Sequence, residues 1–130
     1  MRRRFGFALL ALFFVLGAAP FALAQAPTQV MPAVPTISPA ELHALIARHA
    51  FFALVDVREP AEFAAGHIPG AVSLPLSGLS ATYHQIPKGL RLVVYCRTGH
   101  RSAKAVEFLR ANGYELAVSL AGGYTAYTAP

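Results

Sequence analysis

The chain has 130 residues, 55% of them hydrophobic, which is enough for one domain of modest size with a single core. Three of its 11 Lys and Arg residues stand at positions 2–4; from Gln25 onward eight basic residues face six acidic ones, with no basic run of the kind that indicates nucleic-acid binding. A single cysteine excludes an internal disulfide, and the spacing of the histidines does not match a metal site, so no metal ligand is predicted.

The first 24 residues have the pattern of a secretory signal peptide. Arg2–Arg4 form a basic segment, residues 5–23 carry no charge, and Ala22 and Ala24 are small residues at the two positions that a signal peptidase recognises. The pattern predicts cleavage before Gln25 and export to the periplasm. The alternatives are release from the cell and retention of the segment as an uncleaved membrane anchor. We expect the protein to associate with a membrane only in that last case.

An extended linker is predicted from Gln25 to Thr36, where Pro, Ala, Thr and Val predominate, and an ordered domain is predicted over residues 37–130. Ser38 and Glu41 form a capping box that starts the first helix. Hydrophobic periodicity and turn residues predict these elements in chain order: a helix from Pro39 to Arg48, a strand from Phe52 to Val57, a helix from Pro60 to Ala65, strands from Ala71 to Leu74 and Leu90 to Tyr95, a helix from Ser102 to Asn112, a strand from Glu115 to Leu120 and a turn or short helix from Gly122 to Tyr127.

This alternation of strands and helices predicts an α/β sandwich around a parallel sheet. Residues 75–89 are weakly patterned and add no clear element. In parallel sheets the reactive site lies at the carboxyl ends of the strands. Cys96 comes directly after the strand that ends at Tyr95, so it stands where such a site is expected.

Residues 96–102 read Cys-Arg-Thr-Gly-His-Arg-Ser and predict a seat for a sulfur nucleophile. A thiol between a strand and a helix lies among backbone N–H groups at the positive end of the helix dipole. Arg97, His100 and Arg101 add positive charge, which favours the thiolate of Cys96. A merely structural cysteine would be a buried apolar residue, and burying unpaired arginine charges beside it would be costly.

Three separated motifs resemble those of the rhodanese family. Residues 56–71, which begin Asp-Val-Arg-Glu-Pro, resemble the upstream signature, residues 96–102 resemble the active-site loop, and residues 120–124 resemble the C-terminal Gly-Gly motif. The resemblance spans about Ile37 to Tyr127. It implies a single rhodanese-like domain, a parallel β-sheet flanked by helices on both faces.

The resemblance also implies a sulfurtransferase that needs no cofactor. Cys96 would take a sulfane sulfur from a small anionic donor, thiosulfate or polysulfide, and pass it as a persulfide to a thiol or to cyanide. The substrate-binding residues would lie in the loop: Arg97, Thr98, Gly99, His100 and Arg101. Structural support would come from Asp56, Arg58 and Ser102. Arg58 is expected to pair with Glu59 at the strand end, and Arg101 either binds substrate or holds the loop.

Other functions remain open on the sequence. A non-enzymatic sulfur carrier or binding module would retain the same loop. Dual-specificity phosphatases that share this fold use a Cys-x5-Arg loop, whereas Cys96 and Arg101 are separated by four residues, a shorter loop that suits one sulfur atom better than a tetrahedral phosphate. Phosphatase activity and arsenate reduction therefore rank below sulfur transfer.

Overall fold

A computed structural model describes residues 33–130, together with residue 17. Within this range a five-stranded sheet has the order β1-β5-β4-β2-β3, and every pair of neighbouring strands is parallel. The elements are β1 (Thr36–Ile37), α1 (Pro39–Ala47), β2 (Ala53–Asp56), α2 (Pro60–Ala65), β3 (Val72–Ser73), α3 (Leu79–Thr82), β4 (Leu92–Tyr95), α4 (His100–Ala111), β5 (Ala117–Leu120) and α5 (Gly123–Tyr127).

The sheet has a hydrophobic core on each face. One core contains Val94, Val106 and Leu109, so α4 covers this face; the other contains Leu42 and Val93, so α1 covers the opposite face. β4 occupies the middle of the sheet, and all four of its residues are buried. A strand buried on both faces needs apolar side chains at every position, which explains the run from residue 92 to 95. The predicted parallel sheet with helices on both faces is confirmed.

The capping box that begins α1 is formed as predicted. The Ser38 hydroxyl accepts a hydrogen bond from the Glu41 amide at 3.1 Å, and the Ser38 amide donates to the Glu41 carboxylate at 2.8 Å. These bonds satisfy two backbone N–H groups that would otherwise lack partners at the start of the helix. α1 therefore begins at Pro39, and it ends one residue before the predicted end.

Three local features differ from the sequence prediction. Thr36 belongs to β1, which pairs with β5, rather than to the linker; a two-residue edge strand is too short to show a periodicity. α4 begins at His100, two residues before the predicted start, because Gly99 adopts a left-handed conformation (φ +112°) that turns the chain into the helix. The weakly patterned segment forms α3 between two short 3-10 turns.

The N-terminal predictions fall on a part of the chain that the structure does not describe. The signal peptide over residues 1–24, apart from residue 17, and the linker up to residue 32 lie outside the described residues. Among residues 33–130, none of the helices combines the length and the apolar character that crossing a membrane requires.

Candidate active site

Cys96 occupies the first position after the central strand β4. The neighbours of β4 in the sheet are β2 and β5, and Cys96 is 1% exposed. The Gly99 amide donates a hydrogen bond to Cys96 Sγ at 3.0 Å, and the Ser102 hydroxyl lies 3.5 Å from the same sulfur. The chain thus folds around the sulfur within a single short loop.

Two opposing effects act on the pKa of Cys96. Burial raises the pKa because it disfavours the charged thiolate, whereas hydrogen bonds from the Ser102 hydroxyl and from the amides of Ser102, Gly99 and Thr98 lower it. The hydrogen bonds prevail, and the pKa lies below that of an ordinary thiol. The start of α4 adds the positive end of its dipole at the same place. The loop therefore favours the nucleophilic form of the sulfur.

The predicted substrate-binding residues all lie in this loop, but their side chains differ in environment. Arg97, Thr98 and His100 are exposed. Within the described part of the chain, Arg97 forms no ion pair, and its side chain lines a cleft of about 350 Å³ together with Gly66 and Tyr124. Arg97 thus places a positive charge next to the nucleophile without an acidic partner among residues 33–130.

Arg101 has a protein partner, which the sequence did not reveal. Its guanidinium donates two hydrogen bonds to the Glu62 carboxylate, at 2.7 and 2.9 Å. These bonds, together with the Arg101 charge, lower the pKa of Glu62 to about 2 despite partial desolvation of the carboxyl. The bidentate pair joins α2 to the first turn of α4 and so connects the two long motifs of the sequence.

Asp56 and Arg58 form a second, buried ion pair. The Arg58 guanidinium donates to the Asp56 carboxylate at 2.7 Å and to the Gly66 carbonyl oxygen, also at 2.7 Å, and it lies 4.4 Å from the centroid of the Tyr124 ring. The expected pairing of Arg58 with Glu59 is wrong. Asp56 is fully buried, so its charge requires a partner, whereas Glu59 is exposed to water.

The glycine pair near the C-terminus, Gly122 and Gly123, packs against the backbone of the loop that follows β4. The amide after the second glycine, that of Tyr124, donates to the Cys96 carbonyl oxygen at 2.8 Å. Gly123 has φ +60°, and a Cβ atom there would lie 2.5 Å from the Cys96 carbonyl oxygen and 2.6 Å from that of Arg97. A side chain at position 123 would therefore clash with the backbone that carries the nucleophile.

A serine on β5 completes the surroundings of the thiol. Ser119 is 3% exposed, and its hydroxyl lies 2.8 Å from the Ser102 hydroxyl, which also lies 3.2 Å from the Gly99 carbonyl oxygen. Sequence reasoning missed Ser119, although a polar residue in an otherwise apolar strand could have indicated it. Across residues 33–130, no cluster of three or more His, Cys, Asp or Glu side chains has the geometry of a metal site.

Comparisons with known proteins show related sequences and a related fold. A sulfurtransferase of Allochromatium vinosum is 43% identical over 74 residues, which are 57% of this chain and 69% of that protein. The solved structure of a rhodanese-like domain protein from Staphylococcus aureus has a TM-score of 0.68 at 34% identity, covering 72% of this chain and 91% of that one. A human single-domain sulfurtransferase has a TM-score of 0.62 at 33% identity, covering 72% and 95%.

The match spans from 24% to 69% of the lengths of the curated relatives. The family model of the rhodanese-like domain matches residues 38–130, which include both ion pairs, the thiol loop and the glycine pair. The chain therefore belongs to the rhodanese-like domain family.

Proposed function

We propose that this protein is a sulfurtransferase in which Cys96 carries the transferred sulfur as a persulfide. The observation that carries the proposal is the environment of the single thiol in the chain. Its sulfur is buried and accepts a 3.0 Å hydrogen bond from the Gly99 amide at the start of a helix. The sulfurtransferase names of two similar proteins support the same chemistry.

In the first half-reaction the Cys96 thiolate attacks the outer sulfur of thiosulfate. A new S–S bond forms at Cys96, the S–S bond of thiosulfate breaks, and its electron pair leaves with sulfite. The reaction is RS⁻ + S₂O₃²⁻ → RSS⁻ + SO₃²⁻, which balances in atoms and charge. The loop amides that donate to Cys96 Sγ, among them that of Gly99, would stabilise the negative persulfide as an oxyanion hole stabilises a negatively charged oxygen.

In the second half-reaction the acceptor attacks the outer sulfur of the persulfide. Cyanide gives thiocyanate, RSS⁻ + CN⁻ → RS⁻ + SCN⁻, and a thiolate gives a new persulfide in the same manner. The electron pair of the broken S–S bond returns to Cys96 as thiolate. Both steps use Cys96 as the thiolate, and the lowered pKa of Cys96 increases the fraction of the thiol in that form.

We assign the two arginines of the loop to different tasks. Arg97 is exposed and lacks an ion pair in the described range, so its guanidinium can bind the oxygen atoms of an anionic donor. Arg101 is already engaged by Glu62, so it holds the loop. Thr98 and Gly99 act through backbone amides, and His100 contributes an exposed ring at the helix start.

Mass spectrometry of the intact protein tests the covalent step. Incubation with thiosulfate should add the mass of one sulfur atom, and cyanide should remove it. Cys96→Ser is the matched control, because the chain has no other thiol and the variant cannot form a persulfide. Turnover by Cys96→Ser at the wild-type rate would contradict the proposal.

The same preparation separates sulfur transfer from the other functions. A sulfur carrier would take up one sulfur atom but would not release thiocyanate over many cycles. A phosphatase would hydrolyse an aryl phosphate in a reaction that Cys96→Ser abolishes, and the four-residue spacing between Cys96 and Arg101 argues against it. We expect repeated thiocyanate release and no aryl phosphate hydrolysis.

We also propose that the protein is exported, on the basis of residues 1–24. N-terminal sequencing of the protein recovered from the periplasm should begin at Gln25. A Met1 terminus in the membrane fraction would instead show an uncleaved anchor.

A further inference from the structure

We propose that Ser119 is a positioning residue that directs the Ser102 hydroxyl toward Cys96 Sγ. This inference rests on the proposed function, since it concerns the thiol that we propose to carry sulfur. Ser119 lies on β5, 23 positions after Cys96 in the sequence. Its hydroxyl nevertheless forms a hydrogen bond with the Ser102 hydroxyl, which lies beside the Cys96 sulfur.

The direction of the hydrogen bond between the two serines follows from their surroundings. In residues 33–130, Ser102 Oγ at 2.8 Å is the one hydrogen-bond partner of Ser119 Oγ. Ser119 is 3% exposed, so bulk water has almost no access to it. If Ser102 donated to Ser119, the buried Ser119 proton would have no acceptor, which is unfavourable. Ser119 therefore donates to Ser102.

This direction leaves the single proton of Ser102 free for other acceptors. Two are in reach: the Gly99 carbonyl oxygen at 3.2 Å and Cys96 Sγ at 3.5 Å. When the sulfur is a thiolate, its charge makes it the stronger acceptor, and the bond from Ser102 stabilises the anion. The bond received from Ser119 polarises the Ser102 hydroxyl and strengthens this donation.

The effect is separable from the charges around the loop. Arg101 is close enough for its charge to interact with that of the Cys96 thiolate, and Arg101 is paired with Glu62. Arg97 and His100 belong to the same loop, and β5 itself carries no titratable side chain. A change at position 119 leaves every one of these groups in place.

The test is the pH dependence of alkylation of the sole thiol by iodoacetamide. Below the midpoint of the profile we expect Ser119→Ala to react about twofold to fourfold more slowly than the wild type, and Ser102→Ala about tenfold more slowly. Both midpoints should move to higher pH. The double variant should match Ser102→Ala, because Ser119 acts through Ser102.

Two further comparisons guard against a loss of structure. Ser119→Thr keeps the hydroxyl, whereas Ser119→Val has a side chain of the same shape as threonine with a methyl group in place of the hydroxyl. Of these two variants, only Ser119→Val should shift the profile. Val118→Ala changes the same strand on its other face and should leave the profile unchanged. A profile that is unchanged in both Ser119→Ala and Ser119→Val, or a double variant with additive effects, would overturn the inference.

The readout does not depend on sulfur transfer. If thiosulfate leaves no sulfur on Cys96 while Ser119 variants shift the alkylation profile, the proposed function fails and the positioning role stands. If the persulfide forms and the profiles coincide, the positioning role fails and the proposed function stands.

Discussion

Arg97 and Arg101 belong to the same loop and carry the same charge, yet the fold places them in opposite situations. Arg101 forms a bidentate pair with Glu62, which joins two helices, and its side chain is 35% exposed. Arg97 lies next to the nucleophile with no acidic partner in the described range. The partner of an arginine, more than its position in a motif, therefore indicates whether the arginine is available to a substrate.

Between the two loop arginines, the larger effect on activity should come from Arg97→Ala. If Arg97 binds the oxygen atoms of thiosulfate, the variant should lose about tenfold to a hundredfold in kcat/KM, which corresponds to about 1.5–3 kcal/mol for a hydrogen bond to a charged group. Polysulfide spreads its charge along a sulfur chain and should be affected less. Steady-state kinetics of the wild type and the variant measures the loss in kcat/KM with each donor. Equal losses with thiosulfate and polysulfide would mean that Arg97 shapes the loop.

A smaller loss is expected from Arg101→Lys. Lysine keeps the charge but cannot form the two-pronged contact with Glu62, so the loop is held less firmly. We expect kcat/KM to fall about threefold to tenfold for thiosulfate and polysulfide alike. Arg110→Lys, near the other end of α4, is the matched control and should retain wild-type kinetics. A loss confined to thiosulfate would place Arg101 among the donor-binding groups.

The Glu62–Arg101 pair should also give stability a pH dependence. The pKa of Glu62 is about 2 in the folded protein, below its ordinary value of 4.5, so the contribution of the pair is complete above pH 4.5 and is lost as the pH falls from 4.5 toward 2. Since both side chains are about one third exposed, we expect no more than about 1 kcal/mol.

Urea unfolding of the wild type and of Glu62→Gln measures this contribution. The difference in unfolding free energy between the two proteins should be constant above pH 5 and should shrink toward pH 3. A difference that stays constant over the whole range would show that ionisation of Glu62 does not stabilise the fold.

The smallest effect should be that of salt on the donor reaction. Screening weakens attraction between the exposed Arg97 and a divalent anion, so raising the ionic strength should lower kcat/KM for thiosulfate by about twofold to threefold. In Arg97→Ala the salt dependence should be flatter. If kcat/KM depends on ionic strength equally in both proteins, charges other than that of Arg97 attract the donor.

The sequence predicted most of the fold and pointed to the loop at the centre of the candidate site, because those features are local. The apolar run of β4, the capping box of α1 and the loop at Cys96 are each contained in fewer than ten residues. The Glu62–Arg101 pair was not predictable, since the two residues are 39 positions apart and meet through the packing of α2 near α4. β1 was missed for a similar reason: two residues form a strand because β5 lies beside them.

The contact between Gly123 and the backbone of Cys96 has a consequence for the order in which the protein is built. Synthesis runs from the N-terminus, so the thiol is made 27 residues before the glycine against which its carbonyl group packs. Until the glycine pair and β5 have been added, the loop lacks its backing and Ser102 lacks its serine partner. We therefore expect the loop around Cys96 to reach its final geometry only when the last strand and helix have been added.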